Sequence, residues 1–394
     1  MVNLRAVGSF ATRAALLASS QLSERADRAT YTQNSVDAIK ALQTWYDSGT
    51  GLWTSTGWWN GGNCLTVLAD FSALNANEAN KLNLGGVFAN TFQNAQRSTA
   101  MAVVKTMSPS GLMTSSYSAI AARDLAERGF AGFINDYYDD EGWWALGLIR
   151  AYDVTGENAY LQMAESIFED MKGGTDNTCG GGIWWSKEKK YKNAIANELY
   201  LSVAASLANR ASNKQYYKDI ATQQWAWFKG SGMINSNNRI NDGLNIGSDG
   251  KCTNNGQNEW TYNQGVVLGG LVELYRAGGG ADLLAQAKTI ARAAISKLSQ
   301  DGILHESCEP NCGADGAQFK GIFMRNLHYL QSTSPESDFK TFIMANADSI
   351  WSKDRADGNK LGLVWSGPPS AENGPTAGTH SSAMDALVAA VAAA

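Results

Sequence analysis

The sequence is short of proline, histidine and charge. Six prolines in 394 residues leave long stretches free of the residue that removes a backbone donor and breaks helices, so uninterrupted helices are open to it. The three histidines, His305, His328 and His380, share no metal-ligand spacing, and with no second close cysteine pair a zinc site lacks a donor set. Charged residues make up 18% of the chain, with a net charge of −5 and no Lys/Arg block, which argues against a nucleic-acid partner. No run is long and apolar enough to span a bilayer. There is no Gly-x-Ser-x-Gly nucleophile elbow. Gly180-Gly181-Gly182 is not followed by the Lys-Ser/Thr of a phosphate loop. Neither a metal nor another cofactor is expected.

What the chain does have is 40 glycines, 13 tryptophans and 14 tyrosines on a 44% apolar background, together with many asparagines. That composition allows a large core and suits a polar, uncharged ligand. Of the five cysteines, Cys308 and Cys312 are separated by three residues and read as a disulfide-closed loop, which implies an oxidising compartment. Cys179 and Cys252 lie in Gly/Asn-rich loops where they can pair, and Cys64 is left over. Residues 1–30 read as a leader or a disordered segment, basic and small-residue-rich but with Arg13 interrupting the apolar stretch.

From residue 31 onward the pattern is helical. Leu284, Ala287, Ala291, Ala294 and Leu298 recur at the spacing of an amphipathic helix, as do Leu161, Ala164, Phe168 and Met171. Segments apolar on nearly every face alternate with these, at 143–152, 195–207 and 266–275. Helices of the second kind are buried and the first kind have a side in water. Corresponding starts recur roughly every 60 residues, the length of a helical hairpin with its loops. The expectation is an all-α single domain over 31–394, six hairpins closed into a toroid. Inner helices are placed near 31–48, 60–74, 141–154, 192–209, 259–276, 317–330 and 375–391, one more than six hairpins allow, so one of the first two is misplaced. Residues 97–135 are the least readable. The loops before the inner helices, Cys179–Ser186, Asn258–Gln264, Asp315–Lys320 and Asn373–His380, then converge on one cleft.

The chemistry is concentrated in Asn135-Asp136-Tyr137-Tyr138-Asp139-Asp140-Glu141-Gly142-Trp143-Trp144. Acids in the first turn of a helix also serve as caps and complement its dipole. This cluster holds more acids than capping needs, and aromatics flank it. Paired carboxylates among aromatics suit glycoside cleavage, one group protonating the leaving oxygen while the other attacks. Adjacent residues on a helix place their carboxyl groups ~5–6 Å apart, within the retaining range. Like-charge proximity then keeps one of them protonated. Asp242, in Asn241-Asp242-Gly243, reads equally as a turn residue or as a ligand to sugar hydroxyls. Of Trp184 and Trp185, on an extended loop, one should pack and one should stack on a ligand. Asn193, Asn197 and Glu198 are polar positions in an apolar helix and read as structural. His380 reads as a cap or core residue, and Gly265, Gly269 and Gly270 as close-approach positions.

Tyr138-Asp-Asp-Glu-Gly-Trp-Trp-Ala-Leu146, Cys179-Gly-Gly-Gly-Ile-Trp-Trp185 and Tyr191-Lys-Asn-Ala-Ile-Ala-Asn-Glu198 resemble family 76 glycoside hydrolases. Trp260-Thr-Tyr-Asn-Gln-Gly265 and Gln318-Phe-Lys-Gly-Ile-Phe-Met-Arg325 extend the resemblance over about residues 35–390. It implies an (α/α)6 barrel and endo-acting cleavage of α-1,6-linked mannan with retention. It also implies Asp139 as nucleophile and Asp140 as acid/base, with Asp242 a further acid in the cleft. The substrate-binding candidates are Asn135, Tyr138, Trp143, Trp184, Asp242, Tyr262, Gln264 and Lys320. The chain looks closer to the fungal members, some of which are proposed to be transglycosylases on cell-wall glycans. A monomer, secreted or associated with the cell wall and acting on mannan, is expected. The rival readings are a non-catalytic glycan-binding barrel, or an epimerase, for which the histidines are badly placed.

Overall fold

The computed structural model of the protein describes residues 27–96, 101–108, 112–119, 132–370 and 374–394. The segment before residue 27, including most of the expected leader, and Asn373 lie outside the described residues. Twelve principal helices account for most of the described chain: α1 Arg28–Leu42, α2 Trp58–Leu74, α3 Leu84–Ala95, α4 Tyr138–Thr155, α5 Asn158–Lys172, α6 Ala194–Arg210, α7 Lys214–Gly230, α8 Thr261–Arg276, α9 Asp282–Leu298, α10 Phe319–Thr333, α11 Ser337–Lys353 and α12 Ala377–Ala393. Between α3 and α4 lies an antiparallel hairpin, β1 Met101–Met107 paired with β2 Met113–Ala119. A second, shorter ribbon pairs β3 Leu244–Ile246 with β4 Cys252–Asn254.

The inner ring runs α2–α4–α6–α8–α10–α12 and closes with α12 against α2. Each inner helix is buried almost all round; in α8 every residue from Thr261 to Leu274 is buried. Outer helices bury one stripe, such as Leu283, Leu284, Ala287, Ile290, Ala291 and Ala294 in α9. This is the division that full and partial apolar circumference dictates. The ring can be tight because glycines sit where inner helices cross. A Cβ on Gly265 would lie 2.6 Å from the Phe323 Cα, and one on Gly321 would lie 2.5 Å from the Ser382 Cα.

One expected inner helix is an outer one. The segment placed near 31–48 is α1, which packs on α12 and so joins the two ends of the chain into the sixth hairpin. It exposes Arg28, Thr30, Gln33 and Lys40, a wet face that no inner helix carries. It also starts at Arg28, ahead of residue 31, capped by the Asp27 carboxylate accepting from the Thr30 amide.

At the end of the barrel where the inner helices finish, basic residues meet acids from neighbouring helices. Arg150 pairs with Asp70 (2.6 Å) and Arg210 with Asp153 (2.7 Å) and Glu273 (2.8 Å), while Arg325 pairs with Asp385 (3.1 Å) midway along α10 and α12. Arg210, in the last turn of α6, complements the dipole of that helix. The opposite face, where the inner helices begin, is free to hold the chemistry. There Gln318, just before α10, accepts from Asn60 of α2 and donates to Ser381 of α12, each at 2.8 Å.

Candidate active site

Helix α4 begins at Tyr138, and its first turn carries Asp139, Asp140 and Glu141. It starts there because the Asn135 side-chain oxygen accepts from the Tyr137 amide at 2.8 Å, turning the chain before the helix. It ends at Gly156, which adopts the left-handed conformation at φ 72°. All three acids are buried, Asp139 at 7% exposure and Asp140 and Glu141 at 0%.

Their partners separate them. Asp140 takes a hydrogen bond from the Asn135 amide nitrogen (2.8 Å) and one from the Lys105 ammonium (2.6 Å). Burial pushes its pKa up to about 7, with Asp139 pushing the same way and Lys105 and Asn135 opposing. Among the described residues Asp139 takes Lys105 alone, at 3.0 and 3.1 Å to its two oxygens. Burial pulls the lysine toward neutrality, but Asp139, Asp140 and Asp315 outweigh it and hold the ammonium charged. Glu141 turns the other way, accepting from the Asn135 amide (3.2 Å) and pairing with Lys187 (3.1 Å). Burial holds its pKa well above the usual range, against the Lys187 charge.

Asp242 reaches the same space from the loop before β3. Its carboxylate accepts from the Tyr191 hydroxyl at 2.6 Å, and Tyr191 in turn accepts from Asn255 at 2.9 Å. Burial, with the Asp139 charge adding to it, lifts Asp242 to about 6 against the Tyr191 hydrogen bond. Beneath the acids runs an aromatic belt: Trp59 on Trp143 (5.6 Å between ring centres), Trp143 on Tyr262 (6.5 Å) and Tyr262 on Phe319 (3.9 Å). Asp315 braces one edge, accepting from the Trp59 indole and the Ser115 hydroxyl, both at 2.8 Å.

The expected site residues divide. Asp139, Asp140, Asn135, Asp242, Trp143 and Tyr262 are brought together. Gln264 is not presented to the cleft: both ends of its amide bind the Ile240 backbone, at 2.9 and 2.8 Å, pinning the loop that carries Asp242. Lys320 is 1% exposed and bound to Glu309 (2.5 Å) and the Leu363 carbonyl (2.7 Å). Trp184 donates to Asp176 at 2.7 Å and lies under the buried Lys192 ammonium, so it packs. Its neighbour Trp185 is the ring beside Tyr137 (5.0 Å) and Lys105 (5.5 Å). Tyr138 likewise turns inward against Gly174 and Lys187, and Tyr137 takes the cleft position. Sequence reasoning gave no role to Lys105, Tyr137, Tyr191 or Asp315, and of the Trp184–Trp185 pair it took Trp184 into the site. The signal for Lys105 was present: two stretches rich in Val, Thr and Ser around Ser108-Pro109-Ser110-Gly111 mark a hairpin.

The remaining expectations resolve in the same way. His380 is a core residue, its Nδ1 accepting from the Leu361 amide (2.9 Å) and its Nε2 facing the Ala38 carbonyl (2.7 Å). Asn193 caps α6, and Asn197 binds the Ile183 backbone. Cys179 pairs with Cys252 and Cys308 with Cys312, leaving Cys64 a buried thiol. The first disulfide ties the Gly-rich loop before Trp184–Trp185 to β4. Among the described residues no helix is long and apolar enough to cross a membrane.

A closed ring of six helical hairpins, with paired carboxylates and an aromatic floor at the end where the inner helices begin, defines an (α/α)6 barrel. The family model "Glycosyl hydrolase family 76" matches residues 23–394, and the chain belongs to that family. It is similar to the mannan endo-1,6-alpha-mannosidase DFG5 of Saccharomyces cerevisiae, with 32% identity over 251 residues, covering 58% of this chain and 54% of that protein. A putative mannan endo-1,6-alpha-mannosidase of Schizosaccharomyces pombe is 29% identical over 251 residues, covering 58% of this chain and 55% of the relative. The chain thus spans about half the length of the curated relatives it matches. The solved GH76A alpha-1,6-mannanase of Salegentibacter sp. HEL1_6 superposes with a TM-score of 0.75 at 19% identity, covering 92% of this chain and all of that one. That likeness establishes the fold.

Proposed function

We propose that the protein is an endo-acting glycoside hydrolase that cleaves α-1,6-mannosidic bonds with retention, through a covalent glycosyl-enzyme intermediate. The observation that carries the reading is the shared ammonium. Lys105 Nζ touches an oxygen of Asp139 at 3.0 Å and one of Asp140 at 2.6 Å, so those oxygens are no farther apart than the sum of the two distances. That agrees with the ~5–5.5 Å of retaining enzymes and falls short of the ~6.5–9.5 Å that inverting enzymes need for a water.

The two environments support distinct roles. Asp140, fully buried and lifted to about 7, is the group that carries a proton near neutrality and gives it to the leaving glycosidic oxygen. Asp139 attacks the anomeric carbon as carboxylate. In the second step Asp140 takes a proton from an acceptor hydroxyl, whose oxygen bonds to the anomeric carbon as the bond to Asp139 breaks. Water as acceptor gives hydrolysis, and a sugar hydroxyl gives transfer. Asp242 and Trp185 are proposed substrate contacts, with Trp143 and Tyr262 as the floor. The mannan specificity follows the named activity of the relatives, and two disulfides fit work in the secretory route or at the cell wall, as a monomer.

The test is product analysis on linear α-1,6-mannan with wild type, Asp139→Asn and Asp140→Asn. Expected are shorter α-anomeric fragments from wild type and a loss of at least about 10³-fold in each variant. Elongated products early in the reaction would make the acceptor a sugar. Variants as active as wild type would remove the assignment.

A further inference from the structure

The hairpin β1–β2 carries one face toward the cleft and one toward solvent. Lys105 on β1 and Ser115 on β2 are register partners, so their side chains share a face. Ser115 donates to Asp315 at 2.8 Å, and Lys105 enters the dyad. Val104, one residue away, is 52% exposed, whereas the Lys105 side chain is 3% exposed. The ammonium also lies 4.6 Å from the centre of the Tyr137 ring and 5.5 Å from that of Trp185. One side chain therefore covers both carboxylates and the two rings on the rim beside them.

That position is the one the sugar needs. The carbon under attack stands between nucleophile and acid, and the transition state there is oxocarbenium-like, a cation. We propose that Lys105 is a tethered stand-in for the glycosyl cation, and that its strand must lift from the dyad before a glycan chain can occupy the cleft. Residue 105 thereby sets how tightly the empty enzyme competes with its substrate. This rests on the dyad being the catalytic pair, as proposed above. When the ammonium leaves, two buried like charges remain side by side, and one of them keeps a proton. Glycan binding thus prepares Asp140 as the acid. A groove of about 370 Å³ lined by Met107, Trp185, Tyr191 and Asn255 stays open beside the strand, where a chain end can bind before the lysine withdraws.

Lys105→Met keeps the stem and removes the charge, and Lys105→Arg keeps the charge. The measurement is the dissociation constant for α-1,6-mannotriose by stopped-flow tryptophan fluorescence, with KM and kcat on linear α-1,6-mannan. If the plugged state dominates the free enzyme, apparent affinity is reduced by the unplugged fraction. Lys105→Met should then bind mannotriose about ten-fold or more tighter, with KM falling in parallel, while Lys105→Arg stays near wild type. Equal or weaker binding by Lys105→Met overturns the inference alone. Wild type that binds no mannotriose overturns the functional reading and this inference with it.

Discussion

Asn135 is the second donor to Asp140, and its removal gives a signed, sizeable effect. Its amide nitrogen lies 2.8 Å from the Asp140 oxygen that Lys105 does not touch. A hydrogen bond to a buried charged group contributes about 1.5–3 kcal/mol, and one pKa unit is about 1.36 kcal/mol. Asn135→Ala therefore raises the Asp140 pKa by about one to two units, because the donor stabilises only the anion. Asp140 stands at about 7 in wild type. Activity that needs its proton falls as pH rises through that value, and in the variant it persists to higher pH. The assay is kcat/KM against pH, whose alkaline limb reports the acid of the free enzyme. Asn135→Ala also strips the acceptor from the Tyr137 amide, which lowers the maximum through misplacement. Asn135→Asp restores that acceptor and adds a like charge, so its limb should move further in the same direction. An alkaline limb that stays in place, or moves down, in both variants refutes the assignment of Asp140 as the proton-bearing group.

Trp185→Ala should raise KM on mannan about ten-fold through a lost stacking face. Trp184→Ala should instead lower thermal stability by about 3–5 kcal/mol as a buried indole leaves; calorimetry beside kinetics tells them apart. Replacing Cys179 and Cys252 by serine opens a loop with a sequence separation of 73. The chain-entropy relation puts the loss at about 4 kcal/mol, read as a midpoint lower by about 5 °C. Gly321→Ala places a Cβ 2.5 Å from backbone atoms of Ser382, and overpacking of that kind costs about 1–3 kcal/mol, measured by denaturant midpoint.

The inner helices were legible because a segment apolar on every side has one destination in a helical toroid, and from 138 onward the expected and observed bounds differ by a few residues. Segment 31–48 misled because Tyr31, Val36, Ile39 and Leu42 are as buried as inner-helix residues. What places α1 outside is the wet stripe of Gln33 and Lys40, and what gives it a partner is α12 at the far end of the chain. The hairpin 101–119 carries a turn signal and β-prone flanks, yet where it packs is hidden in the sequence for a different reason. It packs on the barrel mouth through Lys105 and Ser115, polar side chains whose burial depends on Asp139, Asp140 and Asp315, from α4 and from the loop before α10. No local apolar alternation announces a strand buried by charge.

Beside Lys105 stand Tyr137 and Trp185, each one residue from the expected Tyr138 and Trp184, and the two shifts have a common cause. At each place the sequence offers two adjacent aromatics, and which one faces the cleft depends on phase. Tyr137 is still extended, bridged to Ser186, and Tyr138 is already the first residue of α4. The Tyr138 amide donates to the Trp185 carbonyl at 3.0 Å, and the Trp185 amide to the Tyr191 carbonyl at 2.8 Å. The two aromatic pairs are thus phased against each other, and a shift of one residue in either segment would turn its rings over. Tyr137 and Trp185 face the same lysine because this bridge sets both segments at once. The rule that adjacent residues diverge could identify the pair at each place, but only the cross-chain bridge selects the member. A deletion of one residue between Trp185 and Tyr191 should therefore abolish glycan binding while leaving the barrel helical by circular dichroism. Binding that survived such a deletion would mean that the two rings are not the contact.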